Sequence, residues 1–398
     1  MLPSVIDLGL APDDVQAHFV RSGYWETVER RTRHACTLTP AALVLDSEAL
    51  TATASNIYAA VENLERNLHV LGQKKSLLHD EAFFLRQAKI ASHGLSLPGR
   101  SVCDDVPPMV KIDFAYGIDS GWQVLEIDTY NPRALGTIAL MDSIALLAGM
   151  HPGRILTDAL GKYLNAAEKW HIIVSEKEMY YETSYDVLSR FLRERGISIN
   201  TLRERDMVSV RDISQVLCIP ENLDRTPAIR DQLLRRYTEG DTYAVYPPKA
   251  YLGSKAFLPY FANQPSFQGL IPATALLTGE LEKCTFTPPS THKRFILKAT
   301  CSSGCKGIVR YDEGEMFSRI VRGQRNAKKP LWIIQEEIDQ KPFDVIVFDG
   351  NERVRSPYYF RLTVYAQKDG VAGMKITGRP EKIVHGAPDC IQMPIIAA

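Results

Sequence analysis

The chain has 398 residues, of which 45% are hydrophobic and 24% charged, and its 47 Lys and Arg balance its 47 Asp and Glu. This is the composition of a globular protein with two or three packed domains, and the zero net charge offers no general attraction for nucleic acid or an acidic membrane. The longest apolar run, Ile138–Met150, is interrupted by Asp142 and Ser143 and is too short to cross a bilayer. We therefore expect no nucleic-acid partner and no membrane partner.

The start of the chain and its cysteines favour a cytoplasmic protein. The opening residues, MLPSVIDLGLAPDDVQ, lack the basic segment and apolar core of a secretory signal. The 7 cysteines are scattered and odd in number, which is typical of reduced thiols. No CxxC pair or His/Cys cluster predicts a zinc site.

The first hundred residues predict a mostly helical segment. Apolar residues recur at helical spacing in Asp13–Val28, Pro40–Leu64 and Lys75–His93. Such stripes normally face a core, so this part of the chain is interpreted as packing scaffold rather than as a functional site.

The stretch Val110–Leu140 predicts two strands around a tight turn. Lys111 and Asp113 alternate with apolar residues on the first strand, and Glu126 and Asp128 do so on the second. Each pair therefore shares a face, and the hairpin can bring the two pairs together. Three carboxylates within an apolar segment suit Mg²⁺, which predicts Asp113, Glu126 and Asp128 as metal ligands. A solvated acidic face of an ordinary hairpin is the alternative.

A helix is predicted over Gly136–Gly149, and from Trp170 onward strands alternate with helices. The predicted elements are His171–Ser175, Thr183–Gly196, Ile197–Arg203 and Val216–Pro220. This rhythm predicts a small parallel sheet with helical crossovers. No GxGxxG follows its first strand, so a dinucleotide site is not supported. The polar segment Ser175–Thr183 lies where ligands commonly bind in such sheets.

Residues 243–340 contain four further features in a definite order. They are a loop with Lys255 before a helix, a strand ending at Lys298, a small-residue loop over Ala299–Gly307, and a buried strand, Leu331–Ile338. A small-residue loop between strands can place main-chain N–H groups over phosphates, while lysines supply positive charge. The polar end of the last strand, beside an apolar slot, suits an adenine. Taken singly, each feature also has an ordinary explanation as a hairpin turn or a solvated lysine.

This order of features resembles the ATP-grasp superfamily. In this chain the acidic residues precede the lysines. That order resembles the circularly permuted branch of the superfamily, which comprises the eukaryotic-type glutathione synthetases and the glutathionylspermidine synthetases. In that branch an Arg-x-Asp strand and a Glu-x-Asn strand precede two lysines, and Lys111-Ile-Asp113 and Glu126-Ile-Asp128 stand at those places. Lys111 in place of arginine loses a bidentate fork. The loop Ala299–Gly307 also lacks the acidic metal ligand that the family usually has there.

The resemblance, which covers about Val110 to Pro394 at low overall similarity, implies an ADP-forming carboxylate–amine ligase of peptide type that acts through an acyl phosphate. It implies Mg²⁺ at the three carboxylates and ATP at a larger set of residues. That set is Lys255, Lys298, Ser302, Ser303, Gly304, Lys306, Gly307, Gln335, Glu336, Glu337 and Ile338. The implied fold is an ATP-grasp-like α+β or α/β fold. Its parts are a helical N-terminal part with the metal hairpin (1–168), a small parallel-sheet substrate domain (169–242), an ATP-binding lid (243–340) and a C-terminal part (341–398).

Four basic residues are candidates for catalysis: Lys111, Arg133, Arg361 and Arg379. The guanidinium group of Arg133 could bind a carboxylate or phosphate through two hydrogen bonds. A salt bridge within the loop is an equal alternative. In the family an arginine near the C-terminus faces the reaction centre, which favours Arg379 and, as a second choice, Arg361 on the predicted strand Tyr358–Tyr365. The expected partners are a small-molecule carboxylate and an amine, with an amino acid or peptide among them.

Two other functions are compatible with these motifs. One is a nucleotide-binding scaffold without turnover, and the other is a phosphotransferase that stops at the phosphorylated substrate. The branch that the chain resembles often forms dimers, for which the helical N-terminal part would offer an interface.

Overall fold

The computed structural model describes residues 3–73, 106–129, 132–207, 209–220, 223, 226–277, 294–300, 307–311, 314–325 and 332–398. Several predicted features fall outside the described residues: the helix over Lys75–His93, and the loop residues Ser302, Ser303, Gly304 and Lys306.

The described chain forms nine helices and seventeen strands. The helices are α1 (Pro12–Arg21), α2 (Val28–Arg33), α3 (Ser47–Gln73), α4 (Leu135–Leu147), α5 (Leu156–Gly161), α6 (Glu182–Arg193), α7 (Pro227–Glu239), α8 (Leu258–Ala262) and α9 (Gly314–Arg325). The strands are β1 (Ser4–Asp7), β2 (Ala41–Leu45), β3 (Val110–Gly117), β4 (Gly121–Asp128), β5 (Trp170–Val174), β6 (Ile199–Arg203), β7 (Gln215–Cys218), β8 (Tyr243–Tyr246), β9 (Thr274–Leu276), β10 (Phe295–Ala299), β11 (Ile308–Arg310), β12 (Trp332–Glu336), β13 (Phe343–Asp349), β14 (Glu352–Gln367), β15 (Gly370–Arg379), β16 (Ile391–Met393) and β17 (Ile395–Ala397).

The central sheet has the strand order β16-β15-β14-β3-β4, with β13 paired to β14. Adjacent strands within this sheet are antiparallel. Alternate residues of these strands are apolar and fully buried in one core cluster with helix α3. Examples are Ile112, Phe114, Leu362, Val364 and Ile376. Because side chains alternate between the two faces of a strand, the residues between them point to the opposite face. The predicted hairpin over Val110–Leu140 is confirmed as β3 and β4.

The N-terminal part is less helical than predicted, and the helix expected over Pro40–Leu64 is wrong at its start. Ala41–Leu45 is a strand that pairs antiparallel with β1 and parallel with β17 near the end of the chain. A short continuous apolar run has no period that distinguishes a strand from a buried helix. The helix begins only at Ser47, where the Asp46 carboxylate accepts hydrogen bonds from the N–H groups of Glu48 and Ala49, as N-terminal capping residues do.

The predicted parallel sheet is confirmed, with the order β6-β5-β7-β8 and parallel pairing throughout. Its fourth strand, Tyr243–Tyr246, lies in the segment that the sequence assigned to the following part of the chain. Helix α6 packs against α4 so closely that a Cβ atom at Gly136 would lie 1.7 Å from the carbonyl oxygen of Ser184. This contact joins the parallel sheet to the segment that follows the hairpin of β3 and β4.

A third sheet, β11-β10-β12-β9, contains the strands that were predicted within residues 243–340. All of its pairings are antiparallel. Helix α9 was not predicted. No helix in the described part of the chain is both long and apolar enough to span a membrane.

Candidate functional site

The candidate site is the face of the central sheet that points away from helix α3. Cross-strand pairing aligns polar side chains on this face, because directly opposite residues project to the same side. The aligned residues are Glu126 and Asp128 of β4, Lys111 and Asp113 of β3, Arg361 and Thr363 of β14, Lys375, Thr377 and Arg379 of β15, and Gln392 of β16. One sheet face therefore carries most of the charged residues predicted from the first and last thirds of the chain.

A β-bulge gives strand β4 its orientation in this face. Val124 lies opposite Phe114 and Glu126 lies opposite the next residue back, Asp113, so Leu125 is an extra residue in the ladder. An extra residue shifts the alternation by one position. Val124 consequently remains on the apolar face, while Glu126 turns to the polar face.

Asp113 is the most enclosed acid of the face. Its carboxylate accepts hydrogen bonds of 2.6 Å from the Lys111 ammonium and 2.6 Å from the Thr363 hydroxyl, and Nε of Arg361 lies 4.0 Å away. Burial alone would raise the pKa of Asp113, but Lys111, Arg361 and these hydrogen bonds hold it well below its usual value. Burial alone would lower the pKa of Lys111, but Asp113 and the other acids of the face outweigh burial and raise it. Both groups are therefore charged at neutral pH.

Two lysines from residues 243–340 reach strand β4. Lys255 lies in a 3₁₀ turn and places Nζ 3.0 Å from Oε1 of Glu126, while Lys298 at the end of β10 donates a 3.0 Å hydrogen bond to the carbonyl of Leu125. Burial would raise the pKa of Glu126, but Lys255 and Lys111 lower it. The two predicted phosphate lysines and the predicted metal ligand Glu126 thus meet in one place.

The loop between β8 and Lys255 is fixed at two points, one on helix α3 and one on the hairpin. Lys249 makes a buried 2.8 Å ion pair with Glu65 of helix α3. Gly253 packs on the end of β4, where a Cβ atom would lie 2.9 Å from Oδ1 of Asp128 and 3.1 Å from the N–H nitrogen of Thr129. A glycine is required there because the loop backbone passes directly over the carboxylate.

The predicted adenine-binding residues lie at the end of β12: Gln335 and Glu336 are its last two residues, and Glu337 and Ile338 follow it. Gln335 donates a 3.0 Å hydrogen bond to Thr274, while its Oε1 is buried and has no hydrogen-bond partner among the described residues. The main-chain N–H of Glu336 donates to the carbonyl of Ala273, just before β9, and that of Glu337 donates to the carbonyl of Arg294, just before β10. Ile338 is buried beside Gly117. This region therefore leaves one buried amide oxygen for a ligand.

Three residues of the predicted phosphate loop fall within the described residues: Ala299 and Thr300 at its start and Gly307 at its end. Gly307 has a positive φ of 76°, and its carbonyl accepts a 2.8 Å hydrogen bond from the N–H of Ala299. Glycine adopts this backbone conformation without the strain that a side chain would add. The loop thus begins and ends at adjacent positions on β10 and β11.

The predicted catalytic arginines are not brought together. Arg133 pairs with Glu178 after strand β5 and lies over the ring of Tyr181, 5.1 Å from its centroid. It therefore forms the salt bridge that the sequence left as an alternative, and this bridge joins the hairpin loop to the parallel sheet. Arg361 lies beside Asp113 within the polar face.

Arg379 stands at the far end of strand β15 and is engaged by the segment that follows. Its guanidinium donates to both carboxylate oxygens of Asp389, at 3.0 and 2.8 Å, and to the carbonyl of Ile383 at 3.1 Å. A second acid, Glu381, lies 3.3 Å away. These contacts close the turn between β15 and β16.

Lys375 is a charged site residue that the sequence analysis did not single out. It is buried in β15, and its ammonium donates hydrogen bonds to Thr377 at 2.8 Å and to Gln392 at 2.6 Å. Burial lowers the pKa of Lys375 to about 7, and the nearby Arg361 acts in the same direction. The alternation Lys375, Thr377, Arg379 was the signal that places it on the same face as Arg379.

The predicted metal ligands share a face, but lysines hold two of them. Within the described ranges, no group of three or more His, Cys, Asp or Glu side chains is close enough together to hold a metal ion. Asp113 is paired with Lys111 and Glu126 with Lys255.

No protein-family model matches the chain, and no curated protein matches it. Among solved structures, a glutathione synthetase-like effector from Globodera pallida in its apo form matches with 9% identity and a TM-score of 0.52, over 98% of this chain and 99% of that chain. A candidate gamma-glutamylcysteine synthetase from Methylobacillus flagellatus matches with 12% identity over 88% and 87% of the two chains, at a TM-score of 0.30 that is too low to support an argument. The first match shows a shared overall fold, and it shows the fold alone.

Proposed function

We propose that this protein is an ATP- and Mg²⁺-dependent ligase that joins a small-molecule carboxylate to an amine, with an amino acid or peptide among its substrates. The observation that carries the proposal is the 3.0 Å contact between Glu126 and Lys255, with Lys298 bound to the adjacent residue, Leu125. A metal-bound polyphosphate needs acidic ligands for the metal and cations for the phosphate oxygens at one place. Both kinds of group are present in this cluster.

The shared fold with a glutathione synthetase-like effector supports the ligase class by analogy, because a fold does not by itself fix a reaction. The finer assignment belongs to the proposal: a circularly permuted ATP-grasp fold with parts 1–168, 169–242, 243–340 and 341–398. In it, Gln335–Ile338 line the adenine, and the buried Oε1 of Gln335 is an acceptor for the exocyclic amino group.

The donor chemistry of the acidic face suits Mg²⁺. Asp113 and Glu126 are directly opposite in register, and Asp128 lies two residues beyond Glu126 on the same face. Metal entry requires Lys111 and Lys255 to give up their carboxylate partners, and the phosphates that arrive with the metal supply new partners for both lysines. Asp113, Glu126 and Asp128 would hold Mg²⁺ there, and the ion would supply positive charge that offsets the charge of the phosphates.

The proposed reaction has two steps. A substrate carboxylate oxygen attacks the γ-phosphorus of ATP, the bond from phosphorus to the ADP oxygen breaks, and an acyl phosphate forms. The amine nitrogen then attacks the acyl carbon, phosphate leaves with the electron pair of the carbon–oxygen bond, and the nitrogen loses a proton. Lys255, Lys298 and Arg361 stabilise the negative charge of the transferred group, so no side-chain nucleophile is needed.

The test is turnover with defined substrates. The purified protein is incubated with Mg·ATP and a panel of amino acids and small peptides, singly and in pairs, while ADP, phosphate and new amides are measured. We expect ADP to form in step with an amide only when an acid and an amine are both present. Glu126→Gln should abolish turnover with the fold intact, whereas the matched change Glu239→Gln, at an exposed position of α7, should not.

The other outcomes separate the alternatives. ATP binding without turnover across the panel would favour the scaffold, and phosphorylated substrate without amide would favour the phosphotransferase. Wild-type rates in Glu126→Gln would refute the assignment of the acidic face.

A further inference from the structure

Lys375 is a buried lysine whose described hydrogen-bond partners are all neutral. Its side chain donates to the hydroxyl of Thr377 at 2.8 Å and to the amide oxygen of Gln392 at 2.6 Å, and only 5% of the residue is exposed. Within the described residues, no carboxylate lies within ion-pair distance of it. A buried ammonium group without a counter-ion is costly unless a ligand completes its surroundings.

Arg361 lies beside Lys375 and is also incompletely paired. The register places Arg361 opposite Thr377, the neighbour of Lys375 on the same face of β15. Its Nε is buried without a hydrogen-bond partner among the described residues, and the carboxylate within 4.0 Å is that of Asp113. Asp113 already accepts hydrogen bonds from Lys111 and Thr363.

The charges of this part of the face therefore do not balance. The acids of the face act mainly on Lys111, which pairs with Asp113 and is also attracted by Glu126 and Asp128. Among the described residues, Arg361 has only the Asp113 carboxylate within 4.0 Å, and Lys375 has none within ion-pair distance. Arg379 does not add to this excess, because Asp389 and Glu381 pair with it at the end of the strand. An anion entering beside Arg361 would meet this half-buried guanidinium and the buried amino group of Lys375.

We propose that Lys375 and Arg361 form a buried subsite for an anionic group of a ligand, either the carboxylate of the acid substrate or a phosphoryl group of the nucleotide. Thr377 and Gln392 hold the lysine in position, and the planar guanidinium offers its free N–H to an oxygen of the anion. The proposed ligase function enters only in naming the ligand, since the charge imbalance exists whatever the reaction.

The subsite has a consequence for proton binding. Burial lowers the pKa of Lys375 to about 7; Arg361 and Lys111 lower it as well, and Cys390 and Asp113 raise it. The thiol of Cys36 also faces this lysine and stays protonated, because burial raises its pKa. Near neutral pH the lysine is thus partly uncharged, and a bound anion restores its charge. Binding should therefore take up a proton, and affinity should fall as the pH rises above the pKa of Lys375.

The experiment is titration calorimetry of the full-length protein with two probes, inorganic phosphate and glutarate, between about pH 6.5 and about pH 8.5. Each titration is run in two buffers of different ionisation enthalpy, which gives the number of protons taken up. We expect at least one probe to bind with net proton uptake, phosphate indicating the nucleotide and glutarate the acid substrate. Failure of both probes to bind overturns the proposal.

Variants identify the group that takes up the proton. Lys375→Met should weaken binding by about tenfold or more. Lys375→Arg should keep binding within a few-fold but lose the proton uptake, because arginine is charged throughout this pH range. Lys368→Met, at an exposed position in the turn between β14 and β15, is the matched control and should behave like the wild type.

Circular dichroism and thermal melting establish that each variant is folded. Unchanged affinity in a folded Lys375→Met protein, or unchanged proton uptake in Lys375→Arg, overturns the subsite. Because binding is measured without turnover, a protein that proves to lack ligase activity can still pass this test.

Discussion

The ammonium group of Lys298 donates a hydrogen bond of 3.0 Å to the main-chain carbonyl of Leu125, which lies 173 positions earlier in the chain. Leu125 is the extra residue of the bulge in β4. A bulged residue is left outside the regular ladder of a sheet, so its carbonyl can accept a bond from elsewhere. The same bulge that turns Glu126 to the polar face thereby anchors Lys298 of β10 beside it.

Lys298→Met is expected to weaken binding of a non-hydrolysable Mg·ATP analogue by about tenfold or more, because the bound phosphates lose a buried cation. Calorimetry measures this affinity directly. Lys169→Met, an exposed position just before β5, should leave it unchanged. Equal affinities in the two variants would remove Lys298 from the nucleotide site.

Lys255→Met is expected to separate metal binding from nucleotide binding. In the free protein the ammonium group of Lys255 pairs with the carboxylate of Glu126. Removal of the lysine should therefore tighten the binding of Mg²⁺ or Mn²⁺ in the absence of nucleotide. The same change should weaken binding of the nucleotide. Titration with Mn²⁺, followed by the relaxation of solvent protons, reports the first effect. If the variant binds Mn²⁺ no better than the wild type, the lysine does not compete with a metal at Glu126.

Gly253→Ala tests the close approach of the loop to the acidic face. The added Cβ would lie 2.9 Å from Oδ1 of Asp128, so either the carboxylate or the loop must shift. We expect a loss of turnover larger than any loss of thermal stability. Gly323→Ala is the matched control, because no atom lies within 4 Å of its Cβ, and in helix α9 it should raise stability by about 0.5–1 kcal/mol. Full activity in Gly253→Ala would show that Asp128 need not be held in place.

Asp142→Asn should change how stability depends on pH. Burial raises the pKa of Asp142 to about 8, although Oδ2 accepts a 2.9 Å hydrogen bond from the N–H of Leu156. Between the unfolded value of 3.8 and about 8, the unfolded chain has released the proton that the folded protein keeps. The free energy of unfolding therefore falls with rising pH across this interval, by up to ~1.4 kcal/mol per pH unit from this group.

Asparagine cannot ionise, so the variant should lose this slope. Its stability relative to the wild type should rise from about pH 5 to about pH 8 and then level off. Urea unfolding at several pH values measures the difference, with Asp349→Asn at an exposed position as the control. Parallel stability curves for Asp142→Asn and the wild type would mean that the carboxyl group is ionised in the folded protein at neutral pH.

Local patterns were sufficient where the pairing partner is close in sequence. The alternation around Lys111 and Asp113 predicted the hairpin, and apolar runs at regular spacing predicted the parallel sheet. The same reasoning failed at Ala41–Leu45, because that strand lies between β1 and β17, and β17 is at the other end of the chain. Reasoning from the sequence also favoured Arg379 over Lys375. Only the tertiary structure shows that Arg379 pairs with Asp389, while Lys375 donates hydrogen bonds to Thr377 and Gln392.

The sequence by itself determined the residue types of the site and the hairpin of β3 and β4, because side-chain alternation and turn residues are local properties. Only the tertiary structure decided the bulge at Leu125, the contact of Lys255 with Glu126 and the burial of Lys375. Each of these depends on which distant strands lie side by side, and burial and charge pairing, unlike alternation, are set by neighbours in space.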